Sequence, residues 1–327
     1  MAVLNRIGIV SDIHYAGPAE RARGNDYEIS TVANPVLRLL LRIHRRFVWL
    51  RYPLEQNHLL DRFLESRLNF DYVVANGDYS CNTAFVGLSD EAARASANEC
   101  IEKLRGAFDG RLQLTVGDHE LGKKSFVGGL GGMRLQSWQS LRGDLRVPGF
   151  WRMDIGRYVL LGVVSSLVAL PIYEPDTLSE ERPEWEKLRT AHLAEIKAAF
   201  EHLKPEQKVL LFCHDPTALP FLWREDVVRA RLDQIEQTII GHLHSNFIFR
   251  LSRVAAGMPR VTLLGHTARR ITRALTEARR WQPFKVRLCP SLAGIELLKD
   301  GGFLTAELDP EARQPARFVF HPVSRHA

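Results

Sequence analysis

The sequence predicts an α/β fold, and three observations lead there. Short apolar runs of strand type recur at Ile7–Val10, Tyr72–Ala75, Leu112–Val116, Tyr158–Val164, Val209–Phe212 and Thr238–Ile240. Between them lie segments with helical spacing, at Val36–Tyr52, Glu55–Leu68, Ser89–Arg105 and Pro183–Leu203. Alternation of this kind points to largely parallel sheets covered by helices. Third, five of the strands run directly into Asp or His residues, where open α/β sheets bind their ligands.

The elements follow in order. Ile7–Val10 is a buried strand that ends in Ser11, Asp12, Ile13 and His14. Tyr15 to Asn34 is polar, with Gly and Pro, and reads as loop. Val36–Tyr52 sets Arg38, Arg42 and Arg45 on one face and Leu37, Leu40, Leu41 and Val48 near the other, and Pro53 stops it. Phe47 and Trp49 in this helix read as anchors to the core. The second helix aligns Leu60, Phe63, Leu64 and Leu68. Tyr72–Ala75 leads to Gly77 and Asp78, and Ser89 is placed as the N-cap of the next helix. Leu112–Val116 leads to Gly117, Asp118, His119 and Glu120, and the glycines of 128–132 require a loop. Val209–Phe212 leads to Cys213, read as a small buried residue, and to His214. Thr238–Ile240 leads to Gly241, His242 and His244. In extended backbone residues two apart share one side, so Asp12 and His14, and likewise His242 and His244, are expected to pair. Beyond come a strand at Val261–Leu264 and strand-like runs near Val286, Ile295 and Phe303, with Gly301 and Gly302 suited to a hairpin turn between the last two.

Composition bounds the class. The chain has 327 residues, 45% hydrophobic and 25% charged, ordinary values for a globular protein with a sizeable core. The longest uncharged run, Tyr158–Tyr173, holds 16 residues. That is short of the roughly 20 that a membrane helix needs. Asn5 and Arg6 interrupt any secretory signal, and Cys81, Cys100, Cys213 and Cys289 show no paired spacing, so a cytoplasmic location with reduced thiols is expected. The net charge of +6 is uneven. His266–Pro290 carries Arg269, Arg270, Arg273, Arg279, Arg280, Lys285 and Arg287 against Glu277 alone, and Val36–Tyr52 carries five arginines and no acid. Such clusters suit a polyanionic substrate, an anionic membrane surface or nucleic acid, or are simply solvated faces.

Collected, the strand ends offer Asp12, His14, Asp78, Asp118, His119, Glu120, His214, His242 and His244. Imidazoles mixed with carboxylates are the donors that paired divalent metals require. In order and spacing the set resembles the calcineurin-like metallophosphoesterases, whose pattern is Asp-x-His, Gly-Asp-x-x-Asp/Asn, Gly-Asn-His-Asp/Glu, His and Gly-His-x-His. The resemblance runs from Asp12 to His244, about two thirds of the chain. It implies a four-layer αββα sandwich of two mixed sheets, in one domain over 1–327. A basic amphipathic helical insertion at about 36–68 and a basic segment at about 266–290 would elaborate it, and the strands after His244 would complete the second sheet. It further implies a first divalent metal on Asp12, His14, Asp78 and His244, and a second on Asp78, Asp118, His214 and His242, with Asp78 bridging. Manganese, iron or zinc would suit these donors. A metal-activated hydroxide would attack phosphorus, and His119 would bind phosphate or protonate the leaving group.

The chain departs from that pattern twice. Asp118 stands where the family has Asn, and an ionised aspartate cannot donate a hydrogen bond to phosphate. Cys81 stands where an Asp or Asn orients the catalytic histidine, leaving Asn82 and Glu120 as candidates for that task. Gly117 to Lys123 also imitates the start of a phosphate-binding P-loop, but Lys124 follows instead of Ser or Thr, and that reading leaves the other motifs unexplained.

Motifs fix the reaction class better than the substrate. Arg38, Arg42, Arg269 and Arg270 are candidate substrate contacts. They suit a phosphorylated small molecule or a lipid-linked, nucleotide-diphospho substrate such as UDP-diacylglucosamine, met by a peripheral protein at the inner membrane face. The alternatives are a soluble phosphodiesterase or phosphatase on nucleotides or phosphoproteins, a nuclease, and a non-catalytic scaffold. No nucleic-acid module is recognised, which ranks nucleic acid lower as a partner.

Overall fold

The computed structural model describes residues 4–125, 127, 129–261 and 265–325. Among them ten strands form two five-stranded sheets. The first holds β1 (Asn5–Val10), β2 (Tyr72–Asn76), β3 (Leu112–Thr115), and two later strands described below. The second is β4 (Trp151–Ile155), β5 (Tyr158–Val163), β6 (Lys208–Cys213), β7 (Ile235–Ile240) and β8 (Val286–Leu288), in that spatial order. β9 (Gly302–Leu308) and β10 (Arg317–Pro322) return to the first sheet, giving the order β10-β9-β1-β2-β3. Neighbours from β1 to β3 and from β5 to β8 are parallel; β4, β9 and β10 pair antiparallel.

Period-two alternation decides the layers. Ile7, Ile9, Val74, Leu160, Leu210, Phe212, Ile239, Leu304 and Ala306 share one buried cluster drawn from both sheets. Their sequence neighbours Val10, Val73, Ala75, Val159, Leu161 and Leu211 pack in another cluster with the helix residues Leu59, Phe63, Ile101, Trp185 and Phe200. Successive side chains of a strand take opposite faces, so the sheets meet face to face and helices cover their outsides. This is the expected αββα sandwich of two mixed sheets. Burying each Val, Leu or Ile contributes about 1.5–3 kcal/mol relative to exposure, and strands apolar on both faces are what parallel sheets need.

Along the chain the helices begin with α1 (Pro18–Ala22) and α2 (Tyr27–Ser30), inside the stretch expected to be loop. α3 (Pro35–Phe47) stops short of Tyr52, and α4 (Asn57–Leu64) is shorter at both ends than its apolar pattern. α5 (Glu91–Phe108) is capped by Asp90, whose Oδ1 accepts from the Ala93 amide at 3.0 Å, and not by Ser89. α6 (Asp118–Leu121) and α7 (Leu135–Gly143) follow, and the helix Arg182–Glu201 covers the second sheet.

Several expectations fail through non-local pairing. Of the strands after His244 only β8 extends the second sheet; β9 is claimed by β1, whose free edge it covers from Asn5↔Leu308 to Ile9↔Leu304. Ile295 forms no strand, and the hairpin joins β9 to β10 across 309–316 with no turn at Gly301–Gly302. The strand expected at Val261–Leu264 lies, after Val261, outside the described residues, as does Gly128 of the glycine loop.

α3 departs in part from its expected faces, with Leu37, Leu41 and Val48 half-buried as expected. Arg45 is buried, Leu40 and Phe47 are exposed, and the half-buried Trp49 alone of the two aromatics packs inward. The cause is α2: Asp26 and Glu28 lie against α3 and take Arg45 between them, at 3.4 and 3.5 Å. No helix among the described residues is long and apolar enough to cross a membrane.

Candidate metal centre

The site is built from residues just past strands β1, β2, β3, β6 and β7. The backbone turns sharply there: Asp12, His14, Asp78, His242 and His244 adopt φ of 51°, 50°, 60°, 62° and 57°. Left-handed backbone at non-glycine residues costs on the order of 1–3 kcal/mol each and persists only where surroundings enforce it. Here the loops enforce one another. The Asp12 and His14 amides donate to the Gly77 and Asp78 carbonyls at 3.1 and 3.0 Å, and the Gly241 amide donates to His214 O at 2.9 Å. A Cβ at Gly77, whose φ is +91°, would stand 2.6 Å from the Gly117 amide, so glycine is required where these loops touch.

His242 and His244 are left-handed, not extended as expected, and their rings fall into different groupings. Asp78, Asp118, His214 and His242 gather in one; Asp12, His14 and His244 in a second; His14, Asp78 and His119 in a third, ligand atoms lying within 4.8 Å in each. In the first, His214 Nε2 is 3.2 Å from Asp78 Oδ2 and 3.4 Å from Asp118 Oδ1, and His242 Nδ1 is 2.9 Å from Asp118 Oδ1. In the second, His244 Nε2 is 3.3 Å from both Asp12 Oδ1 and His14 Nε2. Asp78 belongs to the first and third groupings and His14 to the second and third, so the three form one connected cluster.

Do these residues fit metal ions? Asp78 Oδ2 and His214 Nε2 are buried and 3.2 Å apart, and neither makes a hydrogen bond of good geometry. Buried polar atoms left so are costly unless something absent from the protein satisfies them. His214 Nδ1 lies 2.6 Å from the Asn76 carbonyl, which fixes the tautomer and leaves the Nε2 lone pair for a cation. Four imidazoles and three carboxylates in two groupings fit two divalent metal ions.

Within the protein itself, the charges of the site act on one another. Burial opposes the charge of Asp78 and Asp118 repels it, yet His119 and His214 hold its carboxyl well below the usual range. Asp118 is likewise held low against burial, by Lys123 and His242. Burial lowers His14, to about 4, as well as His119 and His244, whereas Asp78 and Asp12 raise His214 despite burial. His242 is raised to about 9, against burial, by Asp215 and Asp118.

Lys123 is the residue that sequence reasoning missed. Its Nζ sits 2.9 Å from Asp118 Oδ2, placing a cation and three donors beside the carboxylate that replaces the family's Asn. The signal was available: an added negative charge at a crowded anionic site calls for a nearby counter-charge.

His119 is held differently from either expectation. Its Nδ1 lies 3.0 Å from the Ser80 carbonyl, and Nε2 points toward Asp78 Oδ2 at 3.8 Å. Neither Asn82 nor Glu120 orients it. Asn82 Oδ1 accepts from the Gly87 amide at 2.8 Å, closing its own loop. Glu120 accepts from the Gly117, Asp78 and Tyr79 amides at 2.8, 3.0 and 2.8 Å, fixing the backbone that presents Asp78. A carbonyl carries no side-chain signature, so Ser80 could not be read from residue types. The Cys81 thiol donates to His14 O at 2.9 Å.

The candidate substrate arginines separate. Arg38 donates to Val32 O at 3.0 Å and Arg42 pairs with Asp26 at 3.1 Å, so both serve the α2–α3 packing. Arg270, largely buried, pairs with Asp176 at 2.8 Å and acts electrostatically on Asp118 and Lys123. Arg269 is exposed.

No family model and no curated protein matches the chain. Among solved structures, a dimetal phosphatase from Danio rerio aligns over 93% of this chain and 92% of its own, at 15% identity and a TM-score of 0.44. A phosphopantetheinyl hydrolase from Mycobacterium tuberculosis aligns over 75% and 84%, at 12% identity and 0.38. A purple acid phosphatase from yellow lupin aligns over 75% and 38%, at 13% identity and 0.33. It is the ordered ligands and the sandwich that gathers them, rather than these distant alignments, that make the chain similar to the calcineurin-like metallophosphoesterases.

Proposed function

We propose that this chain is a metal-dependent phosphoric ester hydrolase, a single metallophosphoesterase domain over 1–327 that holds two divalent ions. The observation that carries this reading is the set of three ligand groupings linked through Asp78 and His14, with the buried Asp78 Oδ2 and His214 Nε2 facing each other at 3.2 Å. Asp12, His14, Asp78 and His244 would hold one ion, and Asp78, Asp118, His214 and His242 the other. Bound there, divalent ions supply Lewis acidity toward phosphoryl oxygens and acidify a water. His119, with Nδ1 held by Ser80 O, keeps Nε2 available to bind phosphate or to give a proton to the leaving oxygen. Lys123 offers the donor that Asp118 lacks, and Arg270 adds positive charge nearby.

For the substrate, the finer reading is a phosphoester or pyrophosphate on a lipid-linked or nucleotide-diphospho carrier, of which UDP-diacylglucosamine is one, met by a cytoplasmic protein at the membrane. A soluble diester or a phosphoprotein is the competing reading.

The test is metal-supplemented hydrolysis of a phosphomonoester, a soluble phosphodiester and a UDP-linked lipid, beside Asp78→Asn. Hydrolysis of at least one, reduced at least about 100-fold in the variant, is expected, since even outer-sphere partners of metals are worth 10–100-fold. Activity that survives Asp78→Asn unchanged would remove the two-metal reading. Stoichiometric metal with no hydrolysis would leave a metal-binding scaffold.

A further inference from the structure

Soluble helices bury their apolar stripe, and α3 half-buries Leu37 and Leu41 but leaves a second apolar stripe in solvent. Its arginines turn inward or along the surface, Arg45 to Asp26 and Glu28, Arg42 to Asp26, Arg38 to Val32 O. Val36, Leu39, Leu40, Ile43 and Phe47 face solvent, exposed by 65, 57, 56, 47 and 60%. Their spacing is that of one continuous helical stripe. The helix Asn246–Val254 repeats the arrangement, with Phe247, Leu251 and Val254 exposed by 51, 55 and 85% and Phe249 alone buried. Leu297 and Leu298 are exposed as well. Neither helix contains an acidic residue; together they carry Arg38, Arg42, Arg45, Arg46, Arg250 and Arg253.

These three segments meet at His244. The Trp49 ring, two residues past α3, stands 4.9 Å from the His244 ring. The Glu296 and Leu297 amides donate to Trp49 O and Val48 O at 2.6 and 3.2 Å. The second helix starts two residues after His244, with Ser245 Oγ capping the Phe247 amide at 3.2 Å. The Ser291 amide donates to His244 O at 3.1 Å. The segments that carry the exposed apolar side chains therefore begin or end beside one side of the metal centre.

We propose that α3, the 246–254 helix and Leu297–Leu298 form a docking surface for an anionic phospholipid membrane, which brings the His14–His244 side of the centre to the lipid interface. Leu, Ile and Phe on one face with Arg on the flanks is the composition of helices lying in the interfacial plane, and at 13 and 9 residues these two lie on a bilayer without crossing it. Charge complementarity selects the occupant. Arg38, Arg42 and Arg45 are engaged by Val32 O, Asp26 and Glu28, so the charge that remains is on the exposed Arg46, Arg250 and Arg253. A second copy of the chain would set these cations against each other, whereas anionic headgroups meet them with opposite charge. The proposal rests on the phosphoesterase reading only for what is cleaved there; docking itself follows from exposure and charge.

Co-sedimentation of the full chain with vesicles tests it, using phosphatidylcholine alone and an equal mixture with phosphatidylglycerol. Binding to the mixed vesicles at least about tenfold tighter than to phosphatidylcholine, weakening with salt, is expected. The double variant Leu39→Gln/Ile43→Gln should lose about tenfold or more of that binding while retaining wild-type turnover of a soluble phosphodiester. Phe247→Gln/Leu251→Gln, on the other helix, should do the same independently. Absence of binding to the mixed vesicles overturns the proposal, as does equal binding by all three proteins. A wild-type dimer in analytical ultracentrifugation that either variant makes monomeric also overturns it, since a second copy would then be the occupant. Docking without hydrolysis of any phosphoester would keep the surface and sink the phosphoesterase reading; hydrolysis without docking would do the opposite.

Discussion

Asp118 and Lys123 show how one substitution carries another. An Asn at position 118 would be neutral and able to donate; Asp is neither, and Lys123, at 2.9 Å, restores both the charge and a donor. If the two act as a unit their variants must not be additive. Lys123→Met should lower kcat/KM by about 10–100-fold and weaken binding of inorganic phosphate. Asp118→Asn/Lys123→Met should recover most of that loss, with a coupling of about 1–3 kcal/mol in the double-mutant cycle. Metal affinity and phosphate affinity, titrated alongside activity, separate a lost counter-charge from a lost donor. Strict additivity would show that Lys123 is only a neighbour. Glu120 and Ser80 belong to the same scale: one presents Asp78 through three amides, the other aims His119 through a carbonyl.

At the scale of elements, the helix Arg182–Glu201 is fastened to the second sheet by a titratable group. The Val164 amide, just past β5, donates to His192 Nε2 at 3.0 Å, which requires that nitrogen to be unprotonated. The ring is buried, and burial pushes its pKa below 6.5 even though Glu195 pulls the other way. The folded state therefore binds fewer protons than the unfolded one wherever the free imidazole titrates. The stabilisation is complete above the unfolded value of 6.5 and is lost as pH falls from there toward the lower folded value. Urea midpoints measured through that window should fall more steeply for the wild type than for His192→Gln, which keeps an acceptor but no proton site. Parallel curves would show that His192 does not carry the acid sensitivity. α3 makes the complementary point: its amphipathic pattern forms a helix, while Asp26 and Glu28 on α2 decide which face turns inward.

For the whole molecule, the two sheets are joined at the metal centre as well as through their shared core. β1 and β2 supply Asp12, His14 and Asp78 from the first sheet; β6 and β7 supply His214, His242 and His244 from the second. An ion held between them binds the folded chain and not the unfolded one, so it must stabilise the fold by mass action. At 100 times the dissociation constant one site contributes about 2.7 kcal/mol. Thermal unfolding should shift to lower temperature on chelation, and to higher temperature stepwise as manganese or zinc is restored, with a smaller shift in Asp78→Asn. A Tm independent of metal concentration would mean that the sheets hold together without help from the centre.

The sequence alone determined what is written locally. A parallel strand buried on both faces must be a short apolar run, so the abrupt change of residue type after Val10, Ala75, Val116, Phe212 and Ile240 marked the ends of β1, β2, β3, β6 and β7 to within one residue. The order of those ends carried the family resemblance, and it was the resemblance that implied the sandwich and the ligand set. The edge strands β4 and β10 passed unnoticed because half their side chains face solvent and their alternation is weak over five or six residues. Tertiary structure alone decided the rest. The sheet that β9 joins depends on a free edge at β1 some 300 positions away. The left-handed backbone at Asp12, His14, His242 and His244 costs energy that only the packed loops supply. The outward face of α3 depends on acids of a neighbouring helix, because an amphipathic pattern fixes that two faces differ and leaves to the surroundings which of them is buried.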